Sequence, residues 1–225
     1  MTDVLVVAKG LGRQFPHADG EAVQAVLDVS CEIRSRARIA LVGPSGSGKS
    51  TLLHIIGGLD MPTSGWIKWP GLGAFEELRP GKVGYVFQTP SLLPALTAAE
   101  NVALPLVLAG EPGTHSGRVA ALLKSFCLVE LSEKLPEELS GGQAQRVAMA
   151  RALAVGPKLI LADEPTGQLD SLTAQALFDE VLEELEDTDT ALVVATHDRA
   201  IATRMKTQWI MVHGRLIAEQ DGRSP

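Results

Sequence analysis

Short apolar runs of strand character alternate with stretches of helical period along most of this sequence. "VLVVAKG" and "AVLDVSCEI", near the N-terminus, have the β-branched content of two strands in an antiparallel piece. "RIALVG" is a continuous apolar run ending in a glycine-rich loop, and "KSTLLHIIGGL" after it repeats its apolar residues at helical spacing. "GWIKW" and "KVGYVFQ" predict two further strands, separated by a Gly/Pro-marked turn region. From 97 to about 155 the period is helical, with breaks at Pro112–Gly113 and Pro136. Alternation then resumes with "KLILADE", a helix over about 171–187, "ALVVATH" and a short helix after Asp198. "QWIMVHGRLIAE" predicts a last hairpin turning at His213–Gly214.

Apolar strands alternating with helices predict an α/β fold, a mainly parallel sheet covered on both faces. The helical middle reads as a subdomain inserted between two parts of that sheet. No internal repeat or low-complexity tract interrupts the pattern.

Composition changes this picture little. The 225 residues are 45% hydrophobic and 21% charged, the balance of a globular protein with one sizeable core. A net charge of -7 argues against a general nucleic-acid binder. Cys31 and Cys127 stand far apart with no CxxC or Cys/His neighbourhood, so both are expected as buried thiols in a reducing compartment. "MTDVLVVAKG" carries Asp3 and too short an apolar run for a signal peptide. "NVALPLVLAG", the most apolar segment, falls short of the ~18 residues a membrane span needs and contains Pro105. The expectation is a cytosolic protein, or one held at a membrane only through a partner.

Candidate chemistry starts at "GPSGSGKST", 43–51, which matches G-x-x-x-x-G-K-[ST] after a strand and opening a helix. Glycines at Gly43, Gly46 and Gly48 let the backbone curl so that N–H groups from Ser45 through Ser47 to Ser50 face phosphate oxygens, with a helix N-terminus behind them. Lys49 would reach the β- and γ-phosphates, the Ser50 hydroxyl would ligate Mg²⁺, and Thr51 would complete the cradle. This motif alone leaves a kinase, a GTPase and a motor ATPase open.

"LILADEPTGQLD" puts Asp163 and Glu164 at the C-terminal end of an apolar strand, the edge where open α/β sheets bind ligands. Asp163 suits the role of holding Mg²⁺ through water. A second carboxylate beside it is costly unless it works on a proton or a metal-bound water, which makes Glu164 the candidate general base. "ALVVATHD" ends a similar strand in His197, which is either an ordinary surface or core histidine or a group that hydrogen-bonds a γ-phosphate oxygen.

"ELSGGQAQRVAMARAL" is rich in helix formers, yet Gly141 and Gly142 sit in its first turn, where each costs about 1 kcal/mol relative to Ala. Ser140 and Gln143 supply an S-x-x-Q capping box, which needs neither glycine. Bare N–H groups at a positive helix end suit a phosphate, although a lysine-bearing phosphate loop already exists about 90 residues earlier.

Five pieces in order, "GPSGSGKST", "VFQTPSLLP" with Gln88, "LSGGQAQRVAMARAL", "LILADEPTGQLD" and "VVATHD", resemble the nucleotide-binding subunit of ATP-binding cassette transporters. "LLHIIGGLDMPTSG" and "TAAENVALPLVLAG" look like the ATPases of lipoprotein-release and macrolide-efflux type systems. The resemblance implies a P-loop NTPase core with an N-terminal antiparallel β-subdomain and an inserted helical subdomain. One ATPase domain would span 1–225, with β-subdomain and core in about 1–96 and 157–225 and the helical subdomain in about 97–156. It also implies ATP and Mg²⁺ as ligands, and a dimer with a second copy or a homologous ATPase. The pair would drive a separate integral-membrane permease from the cytoplasmic face, with export or extraction as the direction.

By resemblance, Gln88 contacts Mg²⁺ and the attacking water, Asp170 belongs to the loop touching the opposite subunit, and His197 is the switch histidine. Ser140, Gly141, Gly142 and Gln143 would meet the ATP held by the partner, which accounts for the second phosphate end. Phe15 is the candidate for stacking on adenine, in a loop-like neighbourhood. The chain departs from the family at "RSRARIA", where a Gly-Glu turn is usual, at Gln168, where Asn or a small residue is commoner, and in a short "WPGLGAFEELRPGK" region. None of these removes a catalytic group. A soluble cassette ATPase of translation or DNA maintenance is the competing reading, disfavoured by one compact cassette, no heptad run and an acidic balance.

Overall fold

The computed structural model describes residues 3–16, 22–110 and 115–221. A six-stranded sheet in the order β5-β6-β7-β3-β8-β9 forms the core. Its strands are β3 (Arg38–Val42), β5 (Val83–Val86), β6 (Leu159–Asp163), β7 (Ala191–Ala195), β8 (Thr207–Val212) and β9 (Arg215–Asp221). All neighbours pair in parallel except β8 and β9, which form the expected hairpin. A second, antiparallel sheet in the order β2-β1-β4 joins β1 (Val4–Phe15), β2 (Val23–Arg34) and β4 (Ser64–Lys68).

The central strands are apolar on both faces because both faces are covered. Ile39, Leu41, Leu159, Leu161, Val193 and Ala195 face the side of helix α1 (Lys49–Ile56) and the antiparallel sheet. Ala40, Ile160, Ala162, Leu192 and Val194 alternate with them and pack on the opposite side. That side holds α2 (Ala98–Leu108), α4 (Gly141–Leu153), α5 (Ser171–Glu184) and the short α6 (Arg199–Ala202). Between β5 and β6 the described chain is helical, with α3 (Ser116–Ser125) and two 3-10 turns beside α2 and α4.

Two expectations change, for Phe15 and for the cysteines. β1 continues beyond Gly10 to Phe15, so Phe15 lies on a strand rather than in a loop. Gly10, at φ +60, sits within register shifts of the ladder, and the strand bends there without ending. α2 runs through Pro105: the ring removes one N–H, and the helix closes beyond it with Ala109 N–H donating to Pro105 O at 2.9 Å. The cysteines are not both buried. Cys31 is half-buried, and Cys127 is exposed just after α3, in a left-handed turn at φ +53. Pro112–Gly113 lies outside the described residues.

Candidate functional site

Parallel register brings the candidate residues to one edge. Leu41 and Asp163 both pair with Ala195, and Val86 pairs with Ala162. The chain therefore leaves β3, β5, β6 and β7 at the same edge, as 43–51, Gln88, Glu164 and His197 respectively. A cleft of about 650 Å³ opens there, lined by Gly43, Ser45, Gly46, Gly48, Lys49, Ser50, Thr51, Gln88, Glu164 and His197.

The loop before α1 is pinned from behind. Gly214 N–H, at the β8–β9 turn, donates to Ser47 O at 3.0 Å, and Leu27 N–H donates to Gly214 O at 2.8 Å. Gly48 has φ +101, and a Cβ there would lie 2.0 Å from Ala25 O, so no other residue fits without backbone movement. Lys49 is 7% exposed and donates to the carbonyls of Gly43 (2.9 Å) and Pro44 (3.2 Å). Its ammonium is 3.7 Å from Glu164 Oε1.

Glu164 is the strained residue of the site, at φ +47, where a non-glycine backbone is uncommon. Its N–H donates to Ala195 O at 2.9 Å, tying the turn after β6 to β7. Oε2 lies 2.5 Å from His197 Nδ1; an ionised carboxylate can only accept, so that ring nitrogen carries the proton and donates. His197 is otherwise open, 70% exposed along its side chain. The carboxylate thus faces a cation on one side and an imidazole on the other, the arrangement of a base oriented by its neighbours.

Asp163 sits behind the cleft, 6% exposed. Burial raises its pKa; the neighbouring Ser50 hydroxyl, His54 and Lys49 pull the other way, while Glu164 adds to the rise. Asp163 Oδ1 is buried and finds no partner among the described residues. A carboxylate oxygen held without a donor, beside a serine hydroxyl, is a donor set that suits a hard divalent cation such as Mg²⁺.

The remaining candidates lie outside the cleft. Phe15, 37% exposed with the Arg13 guanidinium 4.5 Å from its ring centroid, pairs with Val23, which lines the cleft. Ser140 caps α4: its Oγ accepts from Gln143 N–H at 3.3 Å, while Gln143 Oε1 accepts from Ser140 N–H at 2.9 Å. Asp170 caps α5, accepting from the N–H groups of Leu172 (3.1 Å) and Thr173 (3.0 Å). These two ends are neighbours, since a Cβ on Gly142 would lie 3.3 Å from Leu169 Cδ2 and 3.5 Å from Thr173 Cγ2.

Sequence reasoning missed Val23, Gln24 and Ala25 of β2, which line the cleft and come from a distant part of the chain with no motif to mark them. It also missed His54 and Tyr85 beside Asp163. His54 was findable, four residues after Ser50 on one helix face.

The family model described as "ABC transporter" matches residues 26–167. A lipoprotein-releasing system ATP-binding protein, LolD, of Legionella pneumophila strain Lens is 42% identical over 228 residues, which is 98% of this chain and 100% of that protein. The dimeric structure of the cassette MJ0796 in a post-hydrolysis state with ADP and Pi superimposes with a TM-score of 0.88 at 37% identity, covering 98% of this chain and all of that one. cbiO1 of Clostridium perfringens, part of the transporter complex cbiONQ, gives 0.82 at 27% identity, covering 98% and 90%. With a strand–loop–helix phosphate cradle, an acidic strand end and near full-length likeness to such cassettes, the chain belongs to the ABC transporter family and is an ATPase of the kind that couples hydrolysis to transport.

Proposed function

We propose that this ATPase is the nucleotide-binding subunit of an extraction-type transporter, closing as a dimer around two ATPs and moving a separate membrane permease. Ser140–Gln143 carries this reading: a glycine-bearing helix end, exposed or half-buried, that lies outside the cleft of its own chain. A second copy, or a homologous ATPase, would set that end against the γ-phosphate in this cleft, with the adjacent Asp170 loop making the cross-subunit contact. The stretch 97–156 would move as one helical unit carrying the signature end, against the β-subdomain and core of 1–96 and 157–225. The relatives named for lipoprotein release suggest a lipid-anchored protein as cargo, which favours transport over work on ribosomes or DNA.

Within the cleft, the triphosphate would replace the carbonyl partners of Lys49, and backbone N–H groups of 45–51 would take the phosphate oxygens. Phe15 would stack on adenine. Ser50, Gln88 and, through water, Asp163 would hold Mg²⁺, which when bound screens phosphate charge. Glu164 would take the proton of the attacking water as general base, and His197, bonded to it, would fix its orientation and sense the γ-phosphate.

No helix among the described residues is long and apolar enough to cross a membrane. Attachment at the inner face of the cell membrane would therefore run through the permease. Glu164→Gln protein with ATP should elute as a dimer in size-exclusion chromatography. Adding Ser140→Arg should return it to monomer with ATP affinity unchanged. Persistence of the dimer, or loss of ATP affinity in the monomer, would overturn the trans assignment. Detergent extraction of the native complex should recover a multi-span permease.

A further inference from the structure

Among the buried polar atoms that lack a partner in the described residues, which include Ser47 Oγ in the loop before α1, two are complementary. One is Asp163 Oδ1, an acceptor; the other is the Tyr85 hydroxyl, a donor. Tyr85 pairs with Leu161 in the parallel β5–β6 ladder, and Leu161 and Asp163 are two residues apart, so all three side chains share one face of the sheet. α1 covers that face. A Cβ on Gly57 would lie 2.8 Å from Leu161 Cδ1 and 3.5 Å from Tyr85 Cδ2. The His54 ring stands 5.5 Å from the Tyr85 ring, tilted by 39°. One turn earlier on α1, the Ser50 hydroxyl lies beside Asp163 and pulls its pKa down.

Ser50, His54, Tyr85 and Asp163 therefore lie together on the face of the sheet that α1 covers. Burial, and next the Asp163 charge, push the Tyr85 phenol far up, so it stays protonated and able to donate. Native proteins rarely leave a buried donor and a buried acceptor unpaired side by side; an ordered water is the common solution.

We propose that Tyr85 is a positioning residue: its hydroxyl donates through one buried water to Asp163 and holds that carboxylate turned toward the metal. Resting on the assignment of Asp163 to Mg²⁺, it adds a device from the neighbouring strand that no motif marks. Tyr85 does not touch nucleotide; it acts by limiting how Asp163 can rotate. Its strand leads directly to Gln88, so movement of β5 would reach the metal through two routes.

The test is Tyr85→Phe in the full chain, which removes one oxygen and keeps the ring packed on α1. Mn²⁺ binding, followed by electron paramagnetic resonance with adenylyl-imidodiphosphate present, should weaken by about tenfold, the loss expected for a hydrogen bond to a charged group. Analogue binding in EDTA should be unchanged, and ATPase should show a raised Mg²⁺ requirement with kcat largely recovered at saturating metal. An orphan phenol would give the reverse, unchanged Mn²⁺ affinity with a higher melting temperature, and would overturn the proposal. Asp163→Asn separates the two layers. If it weakens Mn²⁺ binding and Tyr85→Phe does not, only the role of Tyr85 fails; if neither does, the assignment of Asp163 fails as well.

Discussion

The N-termini of α1 and α4 both carry glycine, but only α1 needs it for its own backbone. Gly48 is the N-cap of α1, left-handed at φ +101 against Ala25 O, and no side chain caps that helix. α4 begins with a complete capping box from Ser140 and Gln143. A Cβ on Gly141 would meet nothing within 4 Å, and neither Gly141 nor Gly142 has positive φ. The first end is shaped by its own fold and has lysine, serine and two carboxylates around it. The second is capped by Ser140 and Gln143 and contributes no residue to that cleft. Gly141 is not required by its own chain, and that favours the proposal that this helix end meets a partner's nucleotide.

The largest expected difference between the two ends is in the chemical step. Glu164→Gln should lower ATP turnover by about 10²–10⁴, the range for losing a general base, while ATP binding persists. Phosphate release measures it, and normal turnover would sink the base assignment. Lys49→Ala comes next. It removes a charged donor from the cradle and should weaken ATP affinity by roughly 10–100-fold, read by calorimetry on the monomer. Ser140→Ala should leave that monomer affinity where it was. Equal losses from the two variants would erase the distinction drawn between the helix ends.

Stability sharpens the same contrast by a smaller amount. Gly48→Ala forces a left-handed alanine against a backbone oxygen, and should cost about 1–3 kcal/mol in urea unfolding. Gly141→Ala has room for its methyl and should be neutral or gain up to about 1 kcal/mol, yet lose ATPase activity. A destabilised Gly141→Ala protein would mean that the glycine serves its own chain after all.

The apolar periods of the sequence made most of the core readable, because strands buried on both faces show as unbroken runs. "RIALVG", "LILAD" and "ALVVA" became β3, β6 and β7 with little displacement. β1 was cut short because Gly10 signals an end in sequence and a bend in a ladder that β2 and β4 hold from both sides. Lys49 was marked by its motif and Glu164 by its place at a strand end, whereas residue type left His197 open and only the resemblance gave it a role; parallel strands bring all three to one edge. The orphaned Tyr85 hydroxyl was not marked, because nothing in "KVGYVFQ" says which strand lies beside it. Cys127 was misjudged for a similar reason. Apolar neighbours in sequence do not bury a residue that turns out of a helix at φ +53.

The smallest effect separates the caps themselves. Ser140 has no charge to lose, so the start of α4 is indifferent to acid. Asp170 caps α5 as a carboxylate, and the Thr173 hydroxyl, then the Thr173 N–H, lower its pKa below 3.8. The folded state thus holds the proton less tightly than the unfolded chain, and ionised Asp170 stabilises α5 fully above the unfolded value. That contribution falls away as pH drops through the lowered folded value. Asp170→Asn keeps an acceptor but cannot titrate. Its melting temperature should lie slightly below that of the native chain at neutral pH, and the gap should close as pH falls past 3.8 toward that lowered value. Ser140→Ala should lose a pH-independent amount over the same range. A gap for Asp170→Asn that stayed constant with pH would mean the charge adds nothing to the cap, and that α4 and α5 begin by the same neutral chemistry.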